Sequence, residues 1–143
     1  MLMFVAAAML GATQPAVHEA TLEHRGAAYQ LSYRPHVSTQ MRTIGQSVGS
    51  RPSTERCRWT ATVALEREIR RASDGERLTK RVPGDAHVIE GQRPGSCRQV
   101  GQAVEAEIAS RVERAQDAVL AMAQADRPAV IADIDAAHAL ALN

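Results

Sequence analysis

Between Arg56 and Ile69 the chain repeats with period two, and this stretch holds the single tryptophan and one of the two cysteines. Cys57, Trp59, Ala61, Val63 and Leu65 fall on one side, with Arg58, Thr60, Thr62, Ala64 and Glu66 on the other. Alternation in residues that suit a pleated, half-buried surface predicts a core strand. The pattern fails at Arg67 and resumes at Ile69. Because Val63 to Ala72 also suits a helix, with Glu66 and Arg70 four apart, the strand is predicted through Leu65 and residues 66–71 are compatible with either state.

The other elements are arranged around this strand. Ala20–His24, Arg25-Gly26 and Ala28–Arg34 read as a hairpin in which Tyr29, Leu31 and Tyr33 alternate with polar neighbours. Pro35, lacking a backbone donor, is expected to end its second strand. Val37–Ile44 is weakly strand-like, and Gly45–Thr54 is a polar loop. Ser73-Asp74-Gly75 marks a turn, Arg77–Val82 an antiparallel return strand, Ala86–Glu90 a short apolar patch and Gly91–Gly95 a loop.

Helical signals dominate the end of the chain. Ser96 and Gln99 have capping-box spacing directly after Pro94-Gly95. Val100, Val104, Ile108, Val112, Ala115, Val119 and Met122 then follow helical spacing, predicting one amphipathic helix of about seven turns. Asp126 is expected to cap a second, shorter helix, with Pro128 in its first turn. The fold expected is α+β: a small antiparallel sheet of three to four strands, the long helix packed across one face and the short helix behind it.

Met1–Ala12 is an apolar run, far short of the ~20 residues that cross a bilayer and ending in small residues. It reads as a signal peptide, leaving residues 13–143 as a single domain and placing the mature chain in the periplasm or outside the cell. Sixteen arginines against one lysine, with abundant alanine, point to a bacterium with a GC-rich genome. No transmembrane anchor is expected.

Aromatics are only 3% of the chain, and the hydrophobic 45% is swollen by alanine, so the core must be lean. Cys57 and Cys97, forty residues apart, match no zinc spacing and are read as a disulfide. Closing a loop of that length is worth roughly 4 kcal/mol in the loop-entropy model.

The formal charge of +1 hides an asymmetry. Arg25–Arg98 carries fourteen basic and seven acidic residues, whereas Gln99–Asn143 carries three and seven. An acidic helical end lying against a basic sheet accounts for this; so does a basic face that meets a polyanion. Arg42, Arg51 and Arg58, in or beside the loop entering the core strand, are the candidate anion-binding residues. Arg111 is expected to reach Glu107 one turn back.

No nucleophile elbow, phosphate loop, zinc-protease helix or dinucleotide fingerprint is present, and the five histidines are scattered. No catalytic residue, metal ligand or cofactor is assigned, and nucleic acid is not expected as a partner. The leading reading is a non-enzymatic envelope protein that binds an anionic polymer or another envelope protein through its basic sheet. The alternatives are a small periplasmic hydrolase, its site assembled from residues distant in sequence, and a structural or inhibitory interaction module.

Overall fold

A computed structural model describes residues 16–84 and 86–142. The expected leader lies outside the described residues. Among the described residues five strands, β1 (His18–His24), β2 (Ala27–Ile44), β3 (Arg56–Arg71), β4 (Arg77–Arg81) and β5 (His87–Pro94), precede three helices, α1 (Cys97–Arg114), α2 (Gln116–Ala125) and α3 (Arg127–Ala141). All strand pairs are antiparallel, in the order β1-β2-β3, and β4 and β5 lie one after the other along the far edge of β3. The architecture is α+β.

β3 is the central strand, and its alternation runs the full length to Arg71. Cys57, Trp59, Ala61, Val63, Leu65, Arg67 and Ile69 are all buried beneath the helices, while the intervening side chains face outward. The pattern did not fail at Arg67. It continued with a charged residue pointing inward, fully buried, where its guanidinium pairs with Asp126 (Nη1 to Oδ2, 2.6 Å) and Asp133. Residues 66–71 are therefore strand, held in the ladder by β2 on one side and β4 on the other.

Two strand boundaries differ from expectation. Pro35 lies inside β2, which continues to Ile44 without a bulge against β3. Tyr33 O accepts from Val17 N, so residues of Tyr33's parity turn their backbone polar groups away from β3, and the donor that Pro35 lacks is one the ladder does not use. Gly91–Pro94 belongs to β5 rather than to a loop. Gly91 sits opposite Trp59, and a Cβ there would lie 2.4 Å from the indole Cζ2. The glycine makes room for the ring. Gly91→Val should accordingly lower stability by about 1–3 kcal/mol, read as an earlier urea midpoint, by forcing a buried ring off its seat.

The β1–β2 hairpin turns at Arg25 (φ 50°) and Gly26 (φ 74°), both left-handed as a two-residue turn of this hand requires. The expected turn at Ser73-Asp74-Gly75 links β3 to β4, with Asp74 Oδ1 accepting from Glu76 N at 3.0 Å.

The expected long helix is instead two, broken at Ala115. No glycine or proline causes the break; the apolar stripe must serve two separate parts of the sheet. Val104 and Ile108 of α1 pack with Cys57, Trp59 and Ala61, whereas Val119 and Ala123 of α2 pack with Tyr33, Val63 and Leu65. The capping box at Ser96 is present, with Gln99 N donating to Ser96 Oγ and Ser96 N to Gln99 Oε1, both at 3.3 Å. Asp126 does precede the last helix, but its side chain makes no cap. It is turned into the core, where it takes Arg67 and the Tyr33 hydroxyl at 3.0 Å. Cys57 and Cys97 form a disulfide, Cα atoms 4.6 Å apart, that ties β3 to the first turn of α1.

Between helices and sheet lies a layer of ion pairs. Lys80 Nζ reaches Asp133 at 3.0 Å, Arg25 and His24 both reach Asp135, and Arg93 approaches Glu107 at 3.7 Å. Burial works against ionisation of Asp133, but hydrogen bonds and charge from Lys80 and Arg67 outweigh it and hold the carboxyl below its usual range. Hydrogen bonds from Arg25, then His24, do the same for Asp135. A depressed folded-state pKa contributes stability that is present above the unfolded value and lost as pH falls through the folded one. Stability should thus hold down to about pH 4, the ordinary carboxylate value, and decline below it. Asp133→Asn should make that acid decline shallower, as followed by thermal melts at stepped pH.

Candidate anion-binding face

Among the described residues the helices cover one face of the sheet and leave the other bare. Along β3 the bare face carries Arg56, Arg58, Thr60, Thr62, Ala64, Glu66, Glu68 and Arg70, none of them buried. Cross-strand neighbours share a face, so the registers determine which charges meet.

At the end near the β3–β4 turn, opposite charges are interleaved. Arg34 lies opposite Glu66, which lies opposite Arg81, and Arg77 approaches Glu68 at 4.0 Å. The end near the β2–β3 loop is different. Arg42 lies directly opposite Arg58, and Arg56 is two residues from Arg58 on the same face, opposite Ile44. All three arginines are exposed, and none makes an ion pair among the described residues. Like charges directly opposed across strands are destabilising, and this pair has no acidic neighbour in its row: the β5 residue facing Arg58 is Gln92. In the adjoining row Gln40 and Thr60 add neutral hydrogen-bonding groups, and Glu90 of β5, opposite Thr60, places one exposed carboxylate diagonal to Arg58 without pairing with it.

Of the three arginines singled out in sequence, then, the fold brings Arg42 and Arg58 together and leaves Arg51 apart. The β2–β3 ladder runs on past Ile44 to Gln46 and Thr54, where Thr54 N donates to Gln46 O at 2.9 Å. Gly45 (φ 90°) passes so close to Thr54 O that a Cβ would lie 2.3 Å from it. Arg51 sits beyond this rung, in a turn closed by its N–H to Val48 O at 3.0 Å. At ~3.3 Å per residue, the Gln46–Thr54 rung alone is about 13 Å from the Arg42–Arg58 row. Arg56 was missed; its parity with Arg58 on a predicted strand was the available signal.

Arg111 is already engaged. Its guanidinium lies 5.2 Å from the Trp59 ring centroid, donates to Glu90 O at 2.9 Å and pairs with Glu107 at 2.7 Å. These contacts seal the indole under α1. Among the described residues no three His, Cys, Asp or Glu side chains gather as a metal site would need, and no helix is long and apolar enough to cross a membrane. Comparison of the chain with protein-family models, curated proteins and solved structures finds no match.

Proposed function

We propose that this is an exported, non-enzymatic binding protein that takes an anionic partner on the bare face of its sheet, at Arg42, Arg56 and Arg58. The observation that carries the reading is the directly opposed Arg42–Arg58 pair, exposed and engaged in no ion pair among the described residues, while the helix-facing basic residues Arg67, Lys80 and Arg93 each have an acidic partner. An anion between the two guanidinium groups relieves their repulsion and gains charge-assisted hydrogen bonds, and arginine's planar fork matches carboxylate, sulfate and phosphate groups. Export is supported by the apolar Met1–Ala12 run together with the Cys57–Cys97 disulfide, since such bonds persist in oxidising compartments. An envelope polymer or an acidic protein surface both fit this chemistry.

The test is retention on heparin, a generic polyanion. Wild-type protein is expected to bind at low salt and elute as ionic strength rises, because exposed charges are screened beyond about 8 Å at physiological salt. Arg42→Glu/Arg58→Glu should elute at least tenfold weaker in affinity with an unchanged melting midpoint, both side chains being exposed. Arg51→Glu should have a smaller effect. Equal retention of wild type and double variant would remove this site.

A further inference from the structure

β1 ends opposite Tyr33, so among the described residues no strand pairs with the outer edge of β2 from Pro35 to Thr43. The parity established by Val17 N and Tyr33 O means that Val37, Thr39, Met41 and Thr43 turn both N–H and C=O to that edge. α1 runs beside it, and the two enclose a cleft of about 360 Å³ floored by Val37, Ile108, Ala109 and Val112. Backbone groups with no partner strand among the described residues, in line with an apolar trough, are the two requirements for adding a strand.

We infer that this edge accepts an extended segment of a partner protein as an additional antiparallel strand, with apolar side chains toward α1 and acidic ones toward the bare face. Charge selects that occupant. The added strand's outward residues would lie beside Arg34, His36 and Arg42 on β2, which favours carboxylates. A second copy of this chain fits less well. It would bring the same basic residues to the bare face and the same Glu105 and Glu113 to the rim of the cleft. The strand edge borders the arginine site and shares Arg42 with it, but the variants that test it lie at Thr39 and Ala109, so the heparin result does not decide it.

The probe is an end-blocked nonapeptide of alternating valine and glutamate, titrated into the full-length protein and followed by hydrogen exchange. The amides of Val37, Thr39 and Met41 are expected to exchange freely without peptide and to slow at least tenfold with it. Two variants should weaken binding at least tenfold while leaving the melting midpoint in place. Ala109→Arg fills the cleft from an exposed helix position flanked by Glu105 and Glu113 at i±4, and Thr39→Pro removes an outward N–H at a site equivalent to Pro35. Four results would overturn the inference. They are no binding at millimolar peptide, binding indifferent to both variants, edge amides already slow in the peptide-free monomer because the chain's own leading residues cover them, and edge amides protected only in a dimer detected by sedimentation.

Discussion

Arg67→Met should cost about 3–5 kcal/mol, enough to unfold much of the population of a domain of ordinary stability. Arg67 is fully buried, and the Asp126 carboxylate it faces is buried with it. Removing the guanidinium strands that carboxylate in a low dielectric with only the Tyr33 hydroxyl as donor. Burial, then the Asp126 charge and hydrogen bond, push the Tyr33 hydroxyl above its usual pKa, which keeps it protonated and donating. Asp133 fares better because it retains Lys80. Arg67 Nε and Asp126 Oδ1 have no partner among the described residues, so the pair adds orientation more than net stability. Arg67→Met/Asp126→Leu should therefore recover most of the loss in urea unfolding. A double variant as unstable as the single one would show that the cost lies in packing and not in the stranded charge.

Cys97→Ser should lower stability by roughly 4 kcal/mol and the melting midpoint by more than about 10 °C. The bond holds α1 against the half of the sheet whose core is small: Cys57, Trp59, Ala61, Val104 and Ile108. Wild-type protein treated with reductant should reproduce the shift. A melting point indifferent to both treatments would mean that the capping box and the Trp59 packing suffice to seat α1.

What was legible in the sequence was local. The capping box needs only residues three apart, the β1–β2 hairpin only its turn, and the alternation of β3 only its own side chains. The disulfide followed from having two cysteines and no metal spacing. What escaped depends on residues far away. Pro35 is harmless only because β1 stops short of it, and Gly91 looks like a loop residue until Trp59 stands opposite. Arg67 breaks a hydrophobic pattern until Asp126 and Asp133 arrive from the helices, and Asp126, read as a cap, is diverted by the same meeting. The break at Ala115 has no local mark at all. For the candidate site, Arg42 and Arg58 were both named from sequence, but their opposition is a property of register, which an eleven-residue loop does not announce. That loop also carries Arg51 off the face.

The central claim, that the bare face near the β2–β3 loop receives anions through its unpaired arginines, is tested most directly by two-dimensional ¹H–¹⁵N spectra recorded during titration with a sulfated oligosaccharide at low salt. The expected result is a saturable shift confined to the arginine Nε–Hε signals of Arg42, Arg56 and Arg58 and to the backbone around Gln40, Thr60 and Gln92, reversed by added salt. Shifts concentrated instead at the Arg34–Glu66–Arg81 end, or no saturable shift anywhere, would contradict it.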